Sequence, residues 1–213
     1  MELLLHTPLQ KYVGYRYQHM FTPAQLSFLV NCLDATRNVP GTIFEVGCAA
    51  GMTTVWLNKH LDSVGPDRQY VSVDTFSGFV DRDVEHEIKA RGKALEAWKL
   101  RQFFSSNDRR WVDRTLRRNH ITRVSLIEAD AVTFDYSPYD AISFALVDVD
   151  LYLPVKATLD RIRSRMAKGG IIVVDDCAPG RTWDGALQAY VEFVNAHSRA
   201  PEIVLDKLGV LRF

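Results

Sequence analysis

The stretch Thr42-Ile-Phe-Glu-Val-Gly-Cys-Ala-Ala-Gly51 decides the fold of this chain. Its first half is apolar and β-branched, as expected of a buried strand, and its second half consists of small residues typical of a tight turn. Residues 52–61 then have the pattern of a helix. A strand, a tight turn and a helix in succession often form a nucleotide site, because small residues let a ligand approach the backbone and the helix start offers free N–H groups.

Two glycine patterns can be compared with this turn. The dinucleotide pattern G-x-G-x-x-G needs glycines at 47, 49 and 52, whereas the chain has Gly47, Ala49 and Met52. The pattern E-x-G-x-G-x-G is met by Glu45, Gly47 and Gly51 and departs only at Ala49. It resembles the first motif of class I S-adenosylmethionine (SAM) methyltransferases. A nicotinamide-dependent oxidoreductase or epimerase, and a noncatalytic SAM-binding protein, are the alternatives.

Length and charge limit the possible partners. With 213 residues, of which 47% are hydrophobic, the chain is long enough for one substantial core, so we expect a single domain over residues 1–213. Acidic and basic residues balance at 26 each, and no net field therefore attracts nucleic acid or an anionic membrane. We expect a small-molecule acceptor as the partner, with a homodimer as a possible assembly.

The cysteines and the first residues indicate the compartment. There are three cysteines, an odd number, and none are in C-x-x-C spacing. Residues 1–9 lack the basic start of a signal peptide. No apolar run approaches the ~20 residues that cross a bilayer. We therefore expect a reduced, cytoplasmic protein.

The rest of the chain alternates strands with helices. Residues 1–21 read as a docking arm, and the capping box Thr22-Pro-Ala-Gln25 begins a helix over 23–35, so that 1–41 form an N-terminal arm and helix. Further strands are predicted at 69–74, 123–129, 142–147 and 171–174, further helices at 153–167 and 183–197, and a closing antiparallel pair at 202–205 and 210–213. This order predicts an α/β fold: a doubly wound, mostly parallel, seven-stranded Rossmann-like sheet with a terminal antiparallel strand.

Residues 80–118 interrupt this alternation. The segment is rich in charge and poor in glycine, with one helix predicted through residues 94–104 and another at 111–116. Because it follows the second strand directly, we expect a helical lid over the substrate side of the site.

Acidic residues mark the ends of the predicted strands. In a parallel sheet these ends share one edge, where ligands bind. Carboxylates gathered there repel one another unless cations or hydroxyls satisfy them. The acids in question are Glu45, Asp74, Asp130, Asp148, Asp150, Asp175 and Asp176.

We divide these acids between two ligands. Glu45, Asp74 and Asp130 suit the amino group, ribose and adenine of SAM, since a carboxylate can accept two hydrogen bonds from a ribose diol. Asp148 and the adjacent pair Asp175-Asp176, on neighbouring strands, supply the hard oxygen ligands that Mg²⁺ prefers.

A more specific resemblance rests on the acid spacing. The stretch Phe144-Ala-Leu-Val-Asp-Val-Asp-Leu-Tyr152, a helix, and Lys168-Gly-Gly-Ile-Ile-Val-Val-Asp-Asp176 resemble the macrocin and mycinamicin sugar O-methyltransferase family. Residues 74–79 are similar to that family's second motif and residues 185–193 to its closing helix, so the resemblance covers roughly 20–197. Val149 and the pair Leu153-Pro154 depart from the family pattern.

The resemblance implies a reaction and a set of site residues. Family members use SAM and Mg²⁺ to methylate deoxysugar hydroxyls, and their three metal carboxylates fall on Asp148, Asp175 and Asp176. We expect Mg²⁺-dependent O-methylation of a sugar or a diol-bearing natural product, with Asp148 as the first candidate base and His19 as the second. The candidate cofactor residues are Glu45, Gly47, Ala49, Gly51, Thr53, Asp74, Thr75, Phe76, Asp130 and Ala131.

Overall fold

The computed structural model describes residues 19–65, 68–93, 97–180 and 183–213. The predicted docking arm therefore lies outside the described residues, except for its last three positions. Residues 94–96 of the predicted lid helix, and the side chains of Trp98 and Leu100, also lie outside them.

A seven-stranded sheet forms the centre of the molecule, in the order β3-β2-β1-β4-β5-β7-β6. Strands β1 to β5 pair in parallel, β7 runs antiparallel to β5, and β6 runs antiparallel to β7. The predicted α/β class and the terminal antiparallel strand are thus confirmed. The strands are β1 Thr42–Val46, β2 Tyr70–Asp74, β3 Val124–Glu128, β4 Ile142–Val147, β5 Met166–Val174, β6 Ile203–Val204 and β7 Leu208–Arg212.

Helices connect these strands. The first begins as its capping box predicts, since Gln25 N donates to Thr22 Oγ1 and Thr22 N donates to Gln25 Oε1. No helix of the described residues has the length and apolar character needed to cross a bilayer. The helices are α1 Pro23–Ala35, α2 Met52–Val64, α3 Asp81–Lys89, α4 Ala97–Gln102, α5 Arg109–Arg118, α6 Tyr152–Ile162 and α7 Gly185–Ala196.

The central strands are buried on both faces. Every residue of β1 and β4 is buried, as expected of parallel strands that carry helices on each side. One core cluster contains Phe44 and Val147 and joins the face that packs against α6 and α7, whereas the other contains Ile43 and Leu146 and joins the α1 and α2 face. The rigid centre places the carboxyl ends of β1, β2, β4 and β5 side by side.

The boundary between α6 and β5 differs from the prediction. We expected a helix to residue 167 and a turn at Lys168-Gly-Gly170, but a 3₁₀ turn at Arg163–Arg165 ends the helix and β5 already begins at Met166. Backbone hydrogen bonds of 2.8 Å from Gly169 N to Phe213 O and 3.0 Å from Phe213 N to Gly170 O explain the difference. The two glycines lie where the pairing of β5 with β4 shifts register, and their hydrogen bonds to Phe213 keep this part of the backbone in the sheet.

The inserted segment contains more helix than expected. It holds α4 and α5 near the predicted positions, and also α3, which the sequence pattern did not predict separately. Helix α3 is anchored to the body, because Glu87 Oε1 accepts a 2.8 Å hydrogen bond from Tyr152 N at the start of α6. Arg91 connects the same carboxylate to Asp184, beside α7. The first part of the segment is therefore fixed to the sheet domain.

Candidate active site

A cavity of about 1040 Å³ lies at the carboxyl edge of the sheet. Its lining includes all seven acids that the sequence placed at strand ends, together with residues from the inserted segment and from the turn between β6 and β7. The cavity therefore has two halves, one built around the glycine turn and one around the acids that follow β4 and β5.

The glycine turn comes very close to the end of β4. Gly47 has a φ of +88°, and a Cβ at this position would lie 1.8 Å from the carbonyl oxygen of Asp148. Ala49 also has a positive φ, 43°, so the alanine that breaks the glycine pattern still adopts a left-handed backbone. Gly51 caps α2 without a side-chain hydrogen bond, and Thr53 in the first turn of that helix lines the cavity. Gly47, Ala49 and Gly51 thus all have a positive φ, so the alanine takes a backbone conformation that glycine favours.

Asp74 fixes this turn from the neighbouring strand. Its Oδ2 accepts hydrogen bonds of 2.9 Å from both Cys48 N and Ala49 N, and its Oδ1 accepts one of 2.7 Å from Phe76 N. Burial raises the pKa of Asp74, and these three backbone donors oppose that rise. Thr75 Oγ1 donates to Gly78 O at 2.6 Å and closes the loop after β2. Asp74 lines the cavity, so the carboxylate predicted to bind ribose also holds the turn in shape.

Glu45 is fully buried beneath the turn. Its Oε2 accepts hydroxyl hydrogen bonds from Thr54 at 2.6 Å, Tyr70 at 2.9 Å and Ser72 at 3.1 Å. Its Oε1 is buried without a hydrogen-bond partner. Burial raises the pKa of Glu45 to about 7, against the lowering effect of the three hydroxyls. A cationic amino group next to Oε1 would satisfy this atom, which fits the predicted role in binding the SAM amino group.

Asp130 is held by an arginine of α3. Arg82 donates to its two oxygens at 3.0 and 3.1 Å, and Val132 N donates to Oδ1 at 2.9 Å. The same guanidinium contacts the buried carboxylate of Asp83. Asp130 and Ala131 both line the cavity, and the pKa of Asp130 is held below its ordinary value chiefly by the Arg82 contact, against its burial. The predicted adenine end of the site therefore carries an arginine that the sequence did not indicate.

The second half of the cavity contains four aspartates. Asp148 and Asp150 follow β4, and Asp175 and Asp176 follow β5. Burial and mutual repulsion raise the pKa of Asp148 and of Asp150 well above the ordinary value, and burial raises that of Asp175 to about 6. Asp175 Oδ1 is buried without a hydrogen-bond partner. The cluster thus holds more negative charge than its surroundings stabilise.

Lys207 is the one cation that the described part of the chain brings into contact with these carboxylates. Its Nζ donates to Asp175 Oδ2 at 2.6 Å and to Asp176 Oδ1 at 3.4 Å. Within the described ranges, no group of three or more His, Cys, Asp or Glu side chains already has the arrangement of a metal site. The donor set nevertheless suits a hard divalent cation, because all the groups are carboxylates and one buried oxygen lacks a partner.

Residues of the inserted segment form part of the cavity wall, and the role of the segment as a lid stays a prediction. Asn107 Nδ2 donates to Ala49 O at 2.8 Å, and Val112 of α5 packs with Cys48 and Phe76 above the glycine turn. Phe79, Phe104 and Trp183 also line the cavity, with the ring centre of Phe79 5.3 Å from that of Trp183 and 5.6 Å from that of Phe104. The cavity wall therefore includes a group of packed aromatic rings.

His19 has a different environment. Its ring packs edge-on against Trp56 of α2, with centres 5.6 Å apart, and it is not among the residues that line the cavity, whereas Met20 and Phe21 are. Its role as a base stays a prediction, and Asp148 is the candidate base that the structure places in the cavity.

The family model described as "Methyltransferase domain" matches residues 44–177, well over half of the chain. The chain belongs to this family of methyltransferases. The match runs from β1 through Cys177, so it includes the glycine turn and all seven acids. A search of curated proteins finds no match to the sequence.

Solved structures share the fold of this methyltransferase. The O-methyltransferase NovP is 20% identical with a TM-score of 0.73, and the match covers 92% of this chain and 82% of that one. The calicheamicin methyltransferase CalS11 is 23% identical with a TM-score of 0.71, over 100% of this chain and 89% of that one. The Podospora anserina methyltransferase PaMTH1, solved with S-adenosylhomocysteine (SAH) bound, is 16% identical with a TM-score of 0.55, over 95% of this chain and 85% of that one.

Sequence reasoning about this methyltransferase did not find Arg82, Asn107 or Lys207. Arg82 and Asn107 lie in the charge-rich segment, where many similar residues face solvent, and nothing in the pattern separates them. Lys207 was read only as part of the turn between the last two strands. Its position next to an acidic strand end could have drawn attention to it, once β7 was paired with β5.

Proposed function

We propose that this methyltransferase transfers the methyl group of SAM to a hydroxyl of a small, ring-bearing molecule, with Mg²⁺ bound by Asp148, Asp175 and Asp176. One observation carries the proposal: a single cavity is lined both by the glycine turn with Glu45 and by the four-aspartate cluster. A methyl donor and an acceptor bound in the two halves would meet inside it. Membership of the methyltransferase family favours SAM over the alternative nicotinamide cofactor.

The fit to SAM rests on the first half of the cavity. Glu45 Oε1 offers a buried acceptor for the amino group, and Asp74 lines the cavity next to the glycine turn that it holds. The first turn of α2 has no side-chain cap, and its N–H groups suit the carboxylate of the methionine part. SAM supplies the methyl group as an electrophile on its sulfonium.

Methyl transfer requires that the half of the cavity with the four aspartates bind the acceptor and remove its proton. The acceptor oxygen forms a bond to the methyl carbon as the bond from methyl to sulfur breaks, so SAH is released and the hydroxyl must lose its proton. Asp148 is the candidate to receive that proton, since it lines the cavity at the end of β4, beside the glycine turn that would hold the methyl donor. A divalent ion held by the aspartates would bind acceptor oxygens and lower the pKa of the hydroxyl.

The aromatic rings support a ring-bearing acceptor. Phe79, Phe104 and Trp183 bring flat apolar faces to the lining of the same cavity, where a sugar or phenol ring could pack. The neighbours point the same way, since one CalS11 structure is described as a TDP-rhamnose 3'-O-methyltransferase and another neighbour as a putative caffeoyl-CoA O-methyltransferase.

The test is SAH formation from SAM with TDP-rhamnose or catechol as the acceptor, with Mg²⁺ and with a chelator. We expect turnover that needs the metal. Asp175→Asn should remove the Mg²⁺-dependent activity and leave SAM affinity within about a few-fold, whereas Asp160→Asn on the exposed side of α6 should behave as wild type. Full turnover by Asp175→Asn would refute the metal assignment. SAM binding without turnover across a broad acceptor panel would favour a noncatalytic SAM-binding protein.

Location and assembly are also proposals. The three cysteines are free and buried, which supports the expectation of a reducing, cytoplasmic setting. Light scattering in solution would test the possible homodimer.

A further inference from the structure

Lys207 has surroundings that are unusual for a lysine. Its side chain is 11% exposed, and its Nζ contacts Asp175 and Asp176 on one side. On the other side Nζ lies 4.8 Å from the centre of the buried Phe21 ring. The face of an aromatic ring attracts a cation. The ammonium is therefore held between two carboxylates and a ring, away from bulk solvent.

The backbone that carries Lys207 is held in place from two directions. Leu205 and Asp206, just before it, have positive φ values of 49° and 71°, which cost free energy for residues other than glycine. Gln25 Nε2 of α1 donates to Leu205 O at 2.9 Å, and Cys177 N donates to Lys207 O at 2.7 Å. Such a turn persists only where surrounding contacts impose it, so the position of the lysine is determined by the fold.

The negative charge of the aspartate cluster exceeds the single positive charge of Lys207, so the cluster can bind a divalent cation. Asp148, Asp150, Asp175 and Asp176 bring four carboxylates to the cavity, and the Lys207 ammonium contacts two of them, Asp175 and Asp176. Lys207 uses Asp175 Oδ2, while Oδ1 of the same carboxylate is buried without a partner. A divalent ion bound by Asp175 and Asp176 would lie next to the ammonium, and two cations at such a distance repel strongly.

Resting on the metal part of the proposed function, we propose that Lys207 is the resident cation of the aspartate cluster and that a divalent ion binds by displacing its ammonium from Asp175. Lys207 is then a positioning residue. It holds the carboxylates together before the metal arrives and lowers the metal's affinity through competition. A long, flexible side chain is suited to this exchange, because its ammonium can move while the turn stays fixed.

The experiment measures Mg²⁺ binding by titration calorimetry on the metal-stripped, full-length protein. Lys207→Gln removes the competing charge and should bind Mg²⁺ about tenfold more tightly or better, because no cation must leave the site. Lys207→Arg keeps the charge and should stay near the wild-type affinity. Lys156→Gln, on the exposed face of α6, is the matched control and should match wild type.

Thermal unfolding gives a second readout. In a chelator, Lys207→Gln should melt below wild type, because Asp175 and Asp176 lose the ammonium that contacts them, and Mg²⁺ should raise its melting temperature more than it raises that of wild type. Weaker or equal Mg²⁺ binding by Lys207→Gln, with normal binding by wild type, would overturn the inference and leave the proposed metal site standing. Absence of Mg²⁺ binding in both proteins would overturn both. A Lys207→Gln protein that stays unfolded in saturating Mg²⁺ would also overturn the inference.

Discussion

Asp74 and Asp148 occupy equivalent places at the ends of parallel strands, and both line the same cavity, yet the chain treats them differently. Asp74 accepts three backbone hydrogen bonds from the turns around it. Asp148 lies among three other aspartates, and repulsion from them adds to the effect of burial on its pKa. The chain therefore satisfies Asp74 with its own backbone and leaves the four aspartates after β4 and β5 with excess negative charge. A cationic ligand can bind there by neutralising this excess negative charge.

The largest expected effect separates activity from stability at Asp148. Asp148→Asn should lower methyl transfer by about 10²–10⁴-fold, because it removes the candidate base. The same change should raise the free energy of unfolding of the metal-free protein, because a carboxylate whose pKa is raised by burial and by the neighbouring aspartates is replaced by a neutral amide. Initial rates and chemical denaturation in a chelator measure the two effects. A lower free energy of unfolding for Asp148→Asn would show that the negative charge of Asp148 is already stabilised by its surroundings in the metal-free protein.

The opposite sign is expected at Asp74. Asp74→Asn should cost about 1–3 kcal/mol of the free energy of unfolding, because an amide NH₂ would face backbone N–H groups that now donate to a carboxylate. SAM affinity, measured by calorimetry, should fall with it. If Asp74→Asn and Asp148→Asn changed the free energy of unfolding in the same direction, the claim that the chain stabilises Asp74 but not Asp148 would be refuted.

The pH dependence of the free energy of unfolding tests whether Glu45 is protonated in the folded protein. Its pKa is raised from 4.5 to about 7 in the folded protein. Between these values the unfolded chain has lost the proton and the folded one keeps it, so the stability of the ligand-free protein should fall as pH rises from about 4.5 to about 7, by up to about 1.4 kcal/mol per pH unit. Asp175, with a pKa of about 6, adds to the fall over the lower part of this range.

Denaturation curves at several pH values would measure this slope. Glu45→Gln cannot titrate at that position and should show a shallower slope than wild type. An unchanged slope in Glu45→Gln would mean that Glu45 is ionised in the folded protein throughout this range.

The smallest effect is expected at Ala49. Its φ of 43° is unfavourable for alanine, whereas glycine adopts it freely but loses more chain entropy on folding. The two terms oppose each other, so Ala49→Gly should change the free energy of unfolding by less than about 1 kcal/mol and leave SAM affinity near the wild-type value. Gly47→Ala is the contrasting variant, since its Cβ would meet Asp148 O at 1.8 Å, and it should be severely destabilised.

The sequence predicted the features that depend on local pattern and on sheet geometry. Strands β1 and β4 were predictable because buried parallel strands are continuous apolar runs, and the seven acids were predictable because parallel strands end at one edge. The structure confirms the fold and brings these acids to one cavity. Their individual roles toward SAM and Mg²⁺ stay predictions.

Features that depend on contacts distant in sequence were not predictable. Met166 belongs to β5 because it pairs with Ile142, and nothing in the local pattern of Lys168-Gly-Gly170 shows that pairing. Lys207 reaches the aspartates because β7 returns antiparallel beside β5 and Gln25 holds the turn. Helix α3 is fixed through Glu87 to the start of α6, a contact across 65 residues.

The two anchored ends of the inserted segment have a consequence for engineering. Helix α3 is tied to α6 through Glu87, and the chain before α5 is tied to the glycine turn through Asn107. Between these two ties, Phe104 lines the cavity against Phe79, and the backbone at Phe103 and Ser105 passes close to Gly78 in the loop after β2. Residues 97–106 therefore shape part of the cavity wall between two fixed points, and we expect replacing them with the corresponding stretch of another methyltransferase to change which molecules the cavity accepts.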